Sequence, residues 1–170
     1  MTQAGSGPAA QPARPPVASD GKRWHLEDFT PGQRQHIGEF SLSKEEIIAF
    51  ARQFDPQVFH TDEEAAKHSS FGGLVASGWH TCSRTMRALC DAFLLEAASG
   101  GSPGVQDIAW KKPVLPDQTI RIERETLEIK PSRSKPDRGM VLSELRLTNP
   151  AGEVVMTMRS WGMFFRRPQG

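Results

Sequence analysis

The spacing of apolar side chains divides this chain into a helical first half and a strand-rich second half. Ile47, Phe50, Ala51 and Phe54 repeat at the i, i+3, i+4, i+7 spacing of one buried face, which predicts a helix over Lys44–Phe54. Ser43 followed by Glu46 forms a capping box at its start, and Leu42 is placed to staple onto Ile47. Pro56 ends this helix, because a proline drives the preceding residue, Asp55, towards extended backbone. Thr61 and Glu64 make a second capping box and predict a short helix near Asp62–Lys67. Gly78–Ala97 predicts a long helix. Trp79, Cys82, Met86, Leu89, Cys90, Phe93 and Ala97 share its apolar face, with His80, Arg84, Arg87 and Asp91 on another. A helix this apolar is expected to pack deep against a sheet.

From Gln106 onward the period changes to that of strands, predicted at Gln106–Lys112, Thr119–Lys130, Met140–Thr148 and Glu153–Arg166. The second of these alternates through Ile120 and Ile122 and then shifts phase to Leu127 and Ile129, the signature of a bulge. Asn149-Pro150-Ala151-Gly152 is a turn signal, so the three long strands form an antiparallel meander. Helices followed by an antiparallel sheet give an α+β fold class. Met1–Gly21 carries four prolines, no aromatic residue and a single branched aliphatic, Val17. Burial there cannot offset the entropy of ordering, so residues 1–21 are expected to be a disordered tail and 22–170 a single domain.

Composition narrows the function classes. The 170 residues balance 21 Lys plus Arg against 20 Asp plus Glu, a formal charge of +1, which gives no global case for a nucleic-acid binder. No apolar run approaches the ~20 residues of a membrane span. The N-terminus lacks the apolar centre of a secretory signal. Cys82 and Cys90, eight residues apart on the long helix, would lie ~12 Å apart at ~1.5 Å rise per residue. That exceeds the ~7 Å limit for a disulfide, so free thiols and a reducing, cytoplasmic compartment are expected.

Candidate chemistry concentrates in Phe54–Asp62. Asp55 and His60 sit five residues apart in a link expected to be non-helical, where irregular backbone can turn both side chains to one point. A carboxylate and an imidazole form a competent pair for moving a proton to or from water. The plainer alternative is that Asp55 caps a turn and His60 is satisfied in a loop. Asp62 reads as helix-terminal charge complementing the dipole. His60-Thr61-Asp62 also matches a His-x-Asp metal pair, but only His68 and His80 follow, both close in sequence, and His25 and His36 precede it without ligand-like spacing, so no metal or other cofactor is expected. Ser77 and Gly78 open the long helix, where backbone N–H groups lack internal partners and carry partial positive charge. They can polarise a carbonyl oxygen such as that of a thioester, or they are simply a cap and a tight turn. Basic residues at Lys130, Arg133, Lys135, Arg138, Arg166 and Arg167 either meet substrate phosphates or form solvated surface. Trp79, Trp110 and Trp161 read as core or interface residues.

The stretch Ala49–Thr81, AFARQFDPQVFHTDEEAAKHSSFGGLVASGWHT, resembles the MaoC-like acyl dehydratases, also called (R)-specific enoyl-CoA hydratases. Their motif runs Asp-x-Asn-Pro-x-His-x-Asp, followed by a Phe and a His-Gly pair, and Asp55, His60, Asp62, Phe71 and Gly78 fall at matching positions. Gln57-Val58 replaces the Asn-Pro, and Ser77 replaces the His before the glycine. These departures bear on acyl specificity more than on chemistry. The resemblance implies a hot-dog fold, an antiparallel sheet wrapped around the long helix. It implies that Asp55 and His60 activate a water, that Gly78 N–H with Ser77 beside it faces the thioester oxygen, and that an acyl-CoA is substrate in a homodimer or larger oligomer, without nucleic acid, membrane or metal. A hot-dog thioesterase and a non-catalytic acyl-CoA-binding subunit are the alternatives.

Overall fold

The computed structural model describes residues 11–169. The elements run β1 (Arg34–Phe40), α1 (Lys44–Phe54), α2 (Val58–Thr61), α3 (Glu63–Ala66), α4 (Gly78–Ala92), β2 (Ser99–Trp110), β3 (Ile120–Pro131), β4 (Arg138–Thr148) and β5 (Val154–Phe165). The five strands form one antiparallel sheet in the order β1-β3-β4-β5-β2. Leu89 of α4 shares a core with Ile122, Leu145 and Val155 of the sheet, so the helix lies on the sheet's inner face.

The local signals in α1 act as predicted. Ser43 Oγ accepts from Glu46 N–H while the Glu46 carboxylate accepts from Ser43 N–H, and Leu42 and Ile47 are fully buried. Only part of the predicted face goes inward, however. Ile47 and Ala51 are buried, whereas Phe54 is 62% exposed at the helix end. The second capping box, predicted from Thr61 and Glu64, does not form. Asp62, not Thr61, caps α3, its Oδ1 accepting from Ala65 N–H at 2.9 Å. Thr61 belongs to α2, a single turn that occupies the link expected to be non-helical.

The long helix is shorter than predicted and turned on its axis. It ends at Ala92, and Phe93 breaks it with φ −160° before a 3-10 turn at Leu94–Glu96. Its buried positions are His80, Thr81, Thr85 and Leu89, while Trp79 is 56% and Met86 49% exposed. Two threonines face the core at little cost because each hydroxyl donates to its own helix, Thr85 to Thr81 O at 2.7 Å and Thr81 to Ser77 O at 3.4 Å. His80, expected on the polar face, stacks flat on Phe50 with ring centroids 4.3 Å apart. Both cysteines are free, and burial pushes the Cys82 thiol up.

β3, β4 and β5 form the predicted meander, and the bulge in β3 falls between Thr126 and Glu128, at the phase shift. β1 carries no clean alternation because its own bulge, between His36 and Gly38, breaks the period. β2 starts seven residues before the predicted Gln106, through a Gly-rich stretch that has no strand propensity and is held by pairing with β5. β2 has β5 on one side only, leaving its outer edge unpaired among the described residues. Residues 1–10, half of the predicted tail, lie outside the described residues. From Gln11 the chain makes contacts. Gln11 Nε2 donates to His36 O at 2.7 Å, Arg14 pairs with Glu96, and Pro15 is buried. No helix among the described residues is long and apolar enough to cross a membrane.

The divided face of α1 makes a direct prediction for stability. Ile47→Ala should cost about 2–5 kcal/mol and Phe54→Ala less than about 1 kcal/mol. Urea unfolding of the two variants checks this, and equal costs would contradict the orientation of α1.

Candidate active site

Three local features place the site. Pro56 stops α1, so Asp55 becomes its C-cap, with φ −153° and ψ 68°. The chain then turns through α2, whose last-turn His60 is buried. The segment after α3 returns past α2, with Val75 N–H donating to Phe59 O at 3.1 Å, and delivers Ser77 and Gly78 to the start of α4.

The side chains meet at the Asp55 carboxylate. Ser77 Oγ donates to Oδ2 at 2.7 Å, and Gln57 Nε2 donates to Oδ1 at 2.8 Å. His60 Nε2 lies 3.4 Å from Oδ2. His60 Nδ1 is 2.7 Å from the Val75 carbonyl, which only accepts, so Nδ1 carries the hydrogen. In the neutral form of the ring this leaves the lone pair of Nε2 facing Asp55. Ser77 also caps α4, its Oγ accepting from Trp79 N–H at 3.2 Å. One hydroxyl thus accepts from the helix start and donates to the carboxylate. Principally through the Ser77 hydrogen bond, and further through Gln57 and the neighbouring His60, the Asp55 carboxyl is held below its ordinary value even though burial opposes this. Asp55 is a carboxylate at neutral pH.

Gly78 is the first residue of α4, so its N–H has no acceptor within the helix. A Cβ there would stand 2.4 Å from Trp110 Cε2, and Trp110 Nε1 donates to Gly78 O at 3.2 Å. The indole packs against the bare backbone and fixes the helix start. Asp55, Gln57, His60, Gly78 and Trp110 line one cleft of about 420 Å³, with Ser77 fully buried behind them; its apolar walls include Phe59, Phe71, Val75 and Val114, and Lys111 and Lys112 are also on its lining.

The structure therefore brings together Asp55, His60, Ser77 and Gly78, the four residues singled out from the sequence. Asp62 is spent on capping α3 and does not line the cleft. The basic residues picked out near the hairpin and C-terminus are elsewhere. Arg138 pairs with Asp137, Arg166 with Glu27 and Arg167 with Asp28. Sequence reasoning missed the Val75 carbonyl that sets the His60 tautomer, the Gln57 amide that reaches back two residues, and Trp110 in the wall. Gln57 alone carried a signal, as a departure from the motif inside the most informative stretch.

Residues 28–144 match the MaoC-like domain family. An uncharacterised Bacillus subtilis protein, YdeM, is 32% identical over 111 residues, 65% of this chain and 78% of that protein. Among solved structures, the MaoC-like dehydratase from Rhodospirillum rubrum is 40% identical with a TM-score of 0.77, over 85% of this chain and 99% of that one. The unliganded R-hydratase PhaJ1 from Pseudomonas aeruginosa shares the fold at 18% identity and a TM-score of 0.66, over 85% of this chain and 86% of that one. The α4-on-sheet arrangement is the hot-dog fold.

Ser77→Ala tests the electrostatics. A lowered carboxyl stabilises the fold above its unfolded value, about 3.9, and that contribution is lost as pH falls through the folded-state pKa. Without the Ser77 donor the folded-state value should rise towards the ordinary one, leaving less of this stabilisation at neutral pH, and the lost cap should cost about 1 kcal/mol more. A carbon-13 titration of the Asp55 carboxyl reads the shift, and an unchanged midpoint would remove Ser77 as its cause.

Proposed function

The chain belongs to the MaoC-like dehydratase family, and from that premise we propose that it adds water across the double bond of a trans-2-enoyl-CoA, or removes it in reverse, with Asp55 and His60 acting on the water. One observation carries this reading. Asp55 Oδ2 and His60 Nε2, both acceptors when the ring is neutral, face each other at 3.4 Å. Oδ2 already accepts from Ser77, but the neutral ring's Nε2 has no donor among the described residues, and a water between the two can donate to both.

Hydration forms a C–O bond at the β carbon, takes one proton from the water and delivers one to the α carbon. The dyad as a unit handles both transfers, since two coupled groups share a titration. Ser77 and Gln57 keep Asp55 ionised and fixed, and the Val75 carbonyl keeps His60 in the tautomer whose free nitrogen faces the cleft. As the bond forms, negative charge grows on the thioester oxygen. The Gly78 N–H at the positive end of α4 is the group to receive it, because a preorganised donor costs no reorganisation in the transition state. Lys111, exposed on the cleft lining, suits the phosphates of a CoA carrier.

A homodimer fits this reading. Among the described residues β2 has an unpaired outer edge, and Trp79, Met86 and Val105 expose apolar surface. Antiparallel pairing of two β2 edges would continue the sheet and remove both hazards. Light scattering should give at least twice 18.8 kDa, and a clean monomer at micromolar concentration would refute it.

For the chemistry, Asp55→Asn and His60→Ala should each lower turnover of an enoyl-CoA by roughly 10²–10⁴-fold. The double variant should cost little more than the worse single, since the two groups act on one water. A panel of enoyl-CoA esters, read for both hydration and thiol release, checks this. Thiol release without hydration would identify a thioesterase, neither product would leave a binding subunit, and an undiminished Asp55→Asn rate would overturn the dyad assignment.

A further inference from the structure

Position 124 breaks the pattern of its strand. The inward residues of β3 are Ile120, Ile122, Arg124 and Thr126, and Arg124 is only 3% exposed. Its register partners are Gln35 on β1 and Leu145 on β4, both buried. Among the described residues no carboxylate lies within ion-pair distance of it. Its one hydrogen bond there is from Nη1 to Gln35 Oε1, at 2.8 Å, although a guanidinium has five N–H donors. Phe29 and Phe93 flank the guanidinium, with ring centroids 4.9 and 5.2 Å from its central carbon. These rings hold a cation in place but supply no counter-charge. Burial pushes the Arg124 pKa down to about 10, so the group stays charged at neutral pH.

Arg124 lines a second cavity of about 220 Å³ between α4 and the sheet, separate from the dyad cleft. Its walls are mostly apolar, from Leu89 and Phe93 to Leu145 and Met158. Ser143 and Ser160, paired across β4 and β5, add two hydroxyls. The volume is below the ~300 Å³ at which whole-ligand pockets begin, so it suits a short acid or the end of a chain.

We propose that this cavity binds the carboxylate end of an aliphatic chain, with Arg124 as its counter-ion and the apolar walls holding the methylenes. A carboxylate accepts two parallel N–H bonds from a guanidinium, the pairing that Arg124 lacks within the described residues. The carboxylate belongs either to a free acid or to the far end of an enoyl thioester's acyl chain. Gly78 and Leu89 are eleven residues apart on α4, so the cavity lies roughly 16 Å along the helix from the thioester position. The free-acid source is independent of the proposed hydratase activity, and the chain-end source rests on it.

Calorimetry on the full chain with octanoate, and with octanol as its uncharged equivalent, tests the pairing. Wild type should bind octanoate about tenfold or more tighter than octanol, and Arg124→Leu should lose that margin. Should Arg124→Leu fail to fold, Ser143→Leu fills the cavity beside an intact arginine and should abolish octanoate binding without slowing hydration of a four-carbon enoyl-CoA. A second arm compares 2-dodecenoyl-CoA, whose extended chain is long enough to reach the cavity, with its ω-carboxylated counterpart. A wild-type preference for the latter that Arg124→Leu abolishes assigns the cavity to the substrate's chain end, and Arg124-dependent octanoate binding without that preference assigns it to a free acid. Octanoate binding no tighter than octanol, or unchanged by both variants, together with no preference in the second arm, overturns the proposal. Arg124-dependent octanoate binding in a protein that hydrates no enoyl-CoA would sink the hydratase reading and leave this one standing.

Discussion

The Ser77 hydroxyl joins two parts of the chain that are 22 residues apart. It accepts from the Trp79 N–H in the first turn of α4 and donates to Asp55 at the end of α1. A helix start carries partial positive charge and a carboxylate is negative, so a hydroxyl between them is polarised the same way by both. The bond therefore fixes the position of Asp55, its ionisation and the direction in which α4 begins. Gly78 follows directly, and its bare backbone is sealed by Trp110 rather than by a side chain of its own. Loss of that one hydroxyl would loosen the Asp55–His60 pair and the start of α4 together.

The scaffold behind the site tolerates more polarity than a helix on a sheet usually shows. Thr81 and Thr85 turn inward because each hydroxyl is satisfied within its own helix, which frees Trp79 and Met86 to stand on the outside near β2. Arg124 is the stronger exception. An apolar residue of similar volume would complete the inward row begun by Ile120 and Ile122 without the desolvation of a charge. Two phenylalanine faces and one glutamine oxygen offset only part of that cost.

The site itself is a balance of donors and acceptors. Every group that touches Asp55 other than His60 is a donor, and His60 gives its own hydrogen to Val75. Asp55 and His60 converge on the wall of a mostly apolar cleft, where polar groups interact more strongly than in bulk water.

What the sequence alone determined is what its near neighbours enforce. The cap of α1 by Ser43 and Glu46, its stop at Pro56, the bulge in β3 and the turn at Asn149–Gly152 each depend on residues a few positions apart, and each was legible. The pairing of Asp55 with His60 was legible for the same reason, since a broken helix and five residues of link confine both to one place. The tertiary structure decided everything that rests on distant partners. β1 and the glycine-rich start of β2 are strands only because β3 and β5 lie beside them. The buried face of α4 was set by the sheet beneath it and by hydroxyls that satisfy themselves, which hydrophobic periodicity does not register. The roles of Ser77, Val75 and Trp110, and the charge of Arg124 among aromatic rings, exist only once segments tens of residues apart are packed together, because a hydrogen bond or a buried charge has no energy until its partner arrives.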